Sequence, residues 1–131
     1  MRKTILMLLL AIVSSSAMAE WVKVGGSTDG TLTVYAIPSS IRKVGSKAKI
    51  WTLGDYKVAK DSGMGNQYRS TKSQEEYDCK EEQGRTLYLA FYSENMGEGE
   101  IIGTHQRAKE WLPIMPESIN EALWKTACKK P

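Results

Sequence analysis

The sequence predicts an α+β domain: a curved antiparallel β-sheet with a C-terminal helix lying across one of its faces. Three observations carry this. Residues 31–37 and 85–93 alternate in side-chain character with the two-residue period of a half-buried strand. Clusters of Gly, Asp and Asn separate successive extended segments by short distances, which favours a meander over parallel crossover units. Helical periodicity with a clear start signal reads only after Pro116.

The elements follow in order. Trp21 to Val24 reads as a short first strand stopped by Gly25-Gly26. From Thr31 to Ile37, Leu32, Val34 and Ala36 share one face, and Thr31, Thr33 and Tyr35 the other; Pro38 ends the run because it cannot donate to a ladder. Gly45-Ser46 marks a turn, and Lys47 to Tyr56 resumes as strand. Asp61 to Asn66, with Gly63 and Gly65, is a loop or hairpin end. Tyr68 to Lys80 is polar but extended, with Tyr77 and Cys79 on one face. Glu81 to Gly84 turns the chain into Arg85 to Ser93, where Leu87, Leu89 and Phe91 oppose Tyr88, Ala90 and Tyr92. Glu94 to Gly99 turns again, and Glu100 to His105 pairs back. In the helix, Ser118 and Glu121 have capping-box spacing, which predicts two satisfied backbone donors. Ile119, Ala122, Leu123, Thr126 and Ala127 share a face, widened by Trp124 and Cys128, so the helix should be largely covered. Lys129 and Lys130 stand at its end, where the helix dipole favours cations.

The start of the chain is unlike the rest. Arg2 and Lys3 precede the apolar run Ile5 to Val13, and three serines lead to Ala17-Met18-Ala19. This is the order of a secretory signal peptide, with cleavage between Ala19 and Glu20. A membrane-spanning helix needs about 20 apolar residues, more than this run supplies. Of 131 residues, 112 then remain as one domain, residues 20–131, with no further run long enough to span a membrane. Losing Arg2 and Lys3 lowers the formal net charge from +3 to +1, so the exported form has no general electrostatic attraction for nucleic acid.

The two cysteines, Cys79 and Cys128, lie outside any Cys-x-x-Cys pair. In an exported protein they are expected to bond, closing a loop of about 50 residues worth roughly 4 kcal/mol in the chain-entropy model; two separate thiols are the alternative. If bonded, they tie the helix onto the Tyr68–Lys80 strand. The residue directly after the cleavage point, Glu20, is not a cysteine, so no lipid-acylation site is expected there.

Catalytic machinery is sparse. The one histidine, His105, sits at a predicted strand end with no nucleophile elbow nearby, and no ligand-pair spacing suggests a metal. Gly97-Glu98-Gly99 joins two strands rather than a strand and a helix, and Glu98 and Glu100 would repel phosphate. The acidic pairs Glu75-Glu76, Glu81-Glu82 and Glu98/Glu100 read as solvated edges and turns. Neither a catalytic residue, a metal nor a cofactor is expected. Four tryptophans and six tyrosines against one phenylalanine are more telling, because Trp and Tyr suit surfaces that are apolar at one end and wet at the other. Trp51, Trp111 and Trp124 are assigned to packing between sheet and helix, and Tyr35, Tyr88 and Tyr92 to a candidate binding surface. Arg42, Lys43, Lys47 and Lys49 form a loose basic cluster, read first as a solvated hairpin.

Several segments together resemble the surface-adhesin protein E family of Gram-negative bacteria: Tyr68-Arg69-Ser70 leading to Tyr77-Asp78-Cys79, Leu87 to Ser93 running into Gly97-Glu98-Gly99, Trp111, Pro116-Glu117-Ser118, and the ending Ala127-Cys128. The resemblance implies about six antiparallel strands, with the helix held on the concave face by a Cys79–Cys128 bridge. It also implies a non-enzymatic protein that binds host extracellular proteins such as laminin, vitronectin and plasminogen, and it allows a homodimer. The family's namesake is a lipoprotein with host-binding segments that have no counterpart here, so no ligand-binding residue is carried over.

The leading expectation is therefore a secreted or envelope-associated binding protein, located in the periplasm or at the cell surface. The first rival is a soluble periplasmic accessory or inhibitor protein with a bacterial partner. The second is a small hydrolase, which would require His105 to meet a carboxylate in a closed pocket.

Overall fold

The computed structural model describes residues 20–130; the expected leader, with Ala19 and the expected cleavage point, lies outside the described residues. The chain forms β1 (Val22–Gly26), β2 (Leu32–Ala36), β3 (Arg42–Val44), β4 (Lys47–Asp61), β5 (Gln67–Asp78), β6 (Gln83–Tyr92), β7 (Ile101–His105), β8 (Leu112–Pro113) and the helix α1 (Ile119–Cys128). All pair antiparallel in one open sheet of order β1-β2-β4-β5-β6-β7, with β3 added to β4 and β8 to β6. The six expected strands form the main path. The two additional strands are three and two residues long, too short to show alternation in the sequence.

Strand ends moved where backbone chemistry outweighed pattern. β1 continues through Gly25-Gly26 instead of stopping there. At Gly26 a Cβ would stand 2.6 Å from the Leu32 carbonyl oxygen, so its glycine lets β1 lie close to β2. β4 runs on to Asp61 past an irregularity after Asp55, giving a long hairpin with β5 closed by residues 62–66. Gly45 takes φ +60° in the two-residue β3–β4 turn, a conformation glycine adopts without steric cost. In β6, Gln74 faces Tyr88 but Glu75 faces Thr86. Leu87 is the extra residue of a bulge, so the expected Leu87/Leu89/Phe91 row is broken at its first member.

The core lies under α1. Val34, Ala36, Ala48, Ile50 and Tyr77 from the sheet meet Leu123, Ala127 and Cys128 from the helix, with Trp124 and Ile119 at the margin. Ile50 and Tyr77 are fully buried, and removing an aliphatic or aromatic side chain from water contributes about 1.5–3 kcal/mol. The Tyr77 hydroxyl is satisfied by Asn120 Oδ1 at 3.1 Å, and the Trp124 indole N–H donates to the Asp78 carbonyl at 3.0 Å. Cys79, one residue beyond β5, is bonded to Cys128, the last residue of α1.

The helix start is half of the expected capping box. Ser118 Oγ accepts from the Glu121 N–H at 3.1 Å, but the Glu121 carboxylate turns along the helix to Lys125, 3.6 Å away. At the other end Lys129 takes the left-handed conformation, and the Lys130 N–H returns to the Lys125 carbonyl at 2.8 Å.

Candidate binding face

The register sorts side chains onto two faces. Paired residues Ala48↔Tyr77, Ile50↔Glu75 and Ala36↔Thr52 point toward α1. The intervening residues point the other way, where no helix among the described residues covers them. Reading across the strands, the uncovered face is built in rows. Arg42, Lys49, Glu76 and Arg85 form one row. Trp51, Gln74 and Tyr88 form the next, extended by Ile37, whose N–H bonds the Trp51 carbonyl at 3.1 Å. Lys23, Tyr35, Leu53, Lys72 and Ala90 form a third, and Thr33, Asp55, Ser70 and Tyr92 a fourth.

The three candidate tyrosines therefore share this face in successive rows, Tyr88 in the second, Tyr35 in the third and Tyr92 in the fourth. Tyr88 meets Trp51 edge to face at 5.7 Å between centroids. Tyr92 carries the Lys72 ammonium 5.0 Å above its ring, and partial burial raises its phenol above the ordinary value, with Tyr88 adding to the effect. Tyr35 stands between Lys23 and Leu53. All three are half-buried.

Two tryptophans assigned to packing under the helix belong here instead. Trp51 is half-buried on the uncovered face because its neighbours in β4, Ile50 and Thr52, take the helix side. Trp111 lies over Arg85 at 4.4 Å and Lys47 at 5.6 Å, a cation-stacked position outside the core. Trp124 does pack against the core as expected.

Trp21, Ile37, Trp51, Lys72, Met96, Gly97 and Glu98 line a groove of about 490 Å³ on this face. Its upper wall is the β6–β7 connection, which is a fixed loop and not a simple hairpin turn. Asp55 and Ser70, cross-strand partners, hold it down. Asp55 Oδ1 accepts from Asn95 Nδ2 at 3.0 Å and from the Met96 N–H at 2.8 Å. Ser70 Oγ donates to the Glu94 carbonyl and accepts from the Gly97 N–H at 2.8 Å. The loop seals Leu53, the one fully buried apolar side chain of this face's central rows besides Ala90. Gly97 has φ +70°, and a Cβ there would run into the Lys72 side chain and lie 3.2 Å from Leu53 Cδ1. Ile37 was legible from its alternation with Tyr35. Met96 was not, since nothing in the sequence shows a loop folding back over the sheet.

The acidic pair Glu75-Glu76 corrects another expectation. Both lie within β5, paired on both sides by β4 and β6, not at a solvated edge. Glu76, 7% exposed, is bound by Arg85 through Nη2 at 2.7 Å and Nε at 2.8 Å. Glu75 faces the helix side and accepts from Thr86 Oγ1 at 2.8 and 3.0 Å. Burial raises its carboxyl above the ordinary value, while the Thr86 hydroxyl acts in the opposite direction.

His105 ends β7, exposed, with its ring edge-on to Phe91 at 5.7 Å. That position denies it the closed pocket a histidine-based hydrolase would use. Among the described residues, no group of three or more His, Cys, Asp or Glu could hold a metal ion, and no helix is long and apolar enough to cross a membrane.

Comparison with known proteins bears on the whole domain. The family model described as surface-adhesin protein E matches residues 21–129. Among solved structures, crystal form II of Haemophilus influenzae protein E aligns with TM-score 0.63 at 13% identity, covering 82% of this chain and 87% of that one. A structure of protein E from non-typeable Haemophilus influenzae aligns with TM-score 0.54 at 16% identity, covering 84% of each chain. Among curated proteins, none matches by sequence. At these identities the structural likeness speaks for the fold.

Proposed function

This chain belongs to the surface-adhesin protein E family, and from that premise we propose that it is an exported, non-enzymatic binding protein of a Gram-negative envelope. Its contact surface is the sheet face opposite α1, carrying Tyr35, Trp51, Tyr88 and Tyr92. The observation that carries this reading is the contrast in cover: one face is sealed by α1, while the other presents half-buried aromatics around a groove of about 490 Å³. Trp, Tyr and Arg dominate the energetics of protein interfaces because they combine large apolar area with polar tips. Laminin, vitronectin and plasminogen are the partners the family resemblance suggests, and a second copy of the chain is a further candidate.

Two measurements test it together. Protease is added to intact cells making the full-length protein, with a periplasmic marker as control. Digestion while the marker survives supports a surface adhesin. Protection until the outer membrane is opened favours the periplasmic accessory reading and discards host matrix partners. Binding of the exported protein to immobilised laminin, vitronectin and plasminogen should then fall at least about tenfold in Trp51→Ala, as for an interface anchor. Full binding by that variant removes the aromatic face from the proposal.

A further inference from the structure

The open face alternates in character from row to row. Its apolar row runs Ile37, Trp51, Gln74, Tyr88, with Trp21 lining the same groove beside Ile37. The row on one side carries Arg42 and Lys49, directly opposite each other in register. Like charges so placed repel, which raises the local positive potential. The row on the other side carries Lys23 and Lys72. Successive same-face rows are about 7 Å apart. The acids nearby are largely committed: Glu76 is held by Arg85, Asp55 by the loop amides, and Asp78 Oδ1 by the Lys80 and Glu81 N–H groups at 3.0 Å. Glu98, at the groove's rim, is the one exposed carboxylate among its lining residues. An apolar stripe is thus bordered on both sides by cations whose own anions are engaged or lacking.

We propose that this face binds an acidic protein segment in extended form, with apolar side chains in the groove and carboxylates on Lys23, Lys72, Arg42 and Lys49. The inference rests on the reading of this face as the contact surface and specifies what it contacts. The row from β1 to β6 crosses five strands, about 19 Å, which accommodates roughly six extended residues. Such a segment turns every second side chain toward the face, so it must carry both apolar and acidic residues among positions i, i+2 and i+4. A sulfated glycan would satisfy the cations too, but the walls formed by Trp21, Ile37, Trp51 and Met96 suit aliphatic or aromatic side chains and leave most sugar hydroxyls without partners.

The test uses the exported protein and three probes: a labelled peptide repeating Leu-Leu-Glu-Glu, which puts both residue types on each side of the extended chain, its Gln-for-Glu counterpart, and heparin. By fluorescence anisotropy the Glu peptide should bind about tenfold tighter than the Gln peptide at low salt, the sum of a few exposed ion pairs, and the gap should close at high salt. Lys49→Glu and Lys72→Glu should each weaken the Glu peptide severalfold more than the Gln peptide, while Lys130→Glu, at the far end of α1, changes neither. Equal binding of the two peptides overturns the charge inference, and the contact face itself survives that result if Trp51→Ala weakens both. Heparin binding without peptide binding overturns the choice of a protein segment, as does failure of both peptides to bind. Insensitivity of all binding to Trp51→Ala removes the face reading along with the inference.

Discussion

The two faces of this sheet are written by the same strands in alternate residues, yet they end in different states. On the helix side, Ala36, Ala48 and Ile50 are completely buried, and Tyr77 reaches a polar partner only through Asn120 of α1. On the open side, aromatics of equal or greater size remain half-buried, and Leu53 is sealed only because a loop crosses it. What separates core from surface here is cover, supplied from distant sequence, and not the hydrophobicity of the strand residues.

If that contrast is right, detaching the cover should cost most. Cys79→Ser frees α1 from β5 and should lower stability by about 4 kcal/mol, read as a drop in the urea midpoint; an unchanged midpoint would show that packing alone holds the helix. Leu123→Ala opens a cavity beneath the helix and should cost about 3 kcal/mol. Trp51→Ala, although it deletes a larger side chain, should cost clearly less in the same denaturation assay, because its site is open to water. Equal losses at Leu123 and Trp51 would erase the distinction between the faces. Gly97→Ala combines a left-handed backbone with a collision against Lys72 and should cost about 2 kcal/mol while loosening the groove wall.

The smallest effect depends on pH. Burial raises the Glu75 carboxyl, so the folded protein holds that proton more tightly than the unfolded chain. The corresponding stability is fully present below the unfolded value, about 4.3, and declines as pH rises through the folded value. Glu75→Gln should therefore be more stable than the native protein near neutral pH, with the advantage vanishing in mild acid. Asp29 behaves in the opposite sense. Its hydrogen bonds from Ser27 and from the Thr31 N–H and hydroxyl hold its carboxyl down to about 2, so its small contribution is present above the ordinary value and fades on acidification toward 2. A titration of unfolding midpoints for Glu75→Gln against native protein checks the first sign directly.

Much of this architecture was legible in the sequence. The alternation of Leu32, Val34 and Ala36 against Thr33 and Tyr35 gave the correct faces for β2, and Ser118 marked the helix start to the residue. Local pattern sufficed there because the cause is local: the pleat, and a hydroxyl reaching the backbone three residues on. Misassignments arose where partners are remote. Trp51 and Trp111 carry no mark of which side the helix will take. Glu75 and Glu76 look like a solvated pair until Arg85 and Thr86 arrive from the neighbouring strand. Alternation set the side of each candidate tyrosine within its own strand, but that they share a face, and the groove beside them, depends on strand pairing and on Asp55 and Ser70 catching a loop that begins 24 residues after Ser70.

The order of the chain has a consequence for how the molecule matures. Val34, Ala36, Ala48, Ile50 and Tyr77 all precede residue 80, whereas Leu123, Ala127 and Cys128 come after residue 120. A chain emerging N-terminus first would display a nearly complete sheet with its apolar floor bare until the last helix appeared. During that interval the exposed strip competes for any other apolar surface. Cys79, waiting at the edge of the floor, receives its partner only with the final turn of α1, so formation of the bond reports that the floor has been covered.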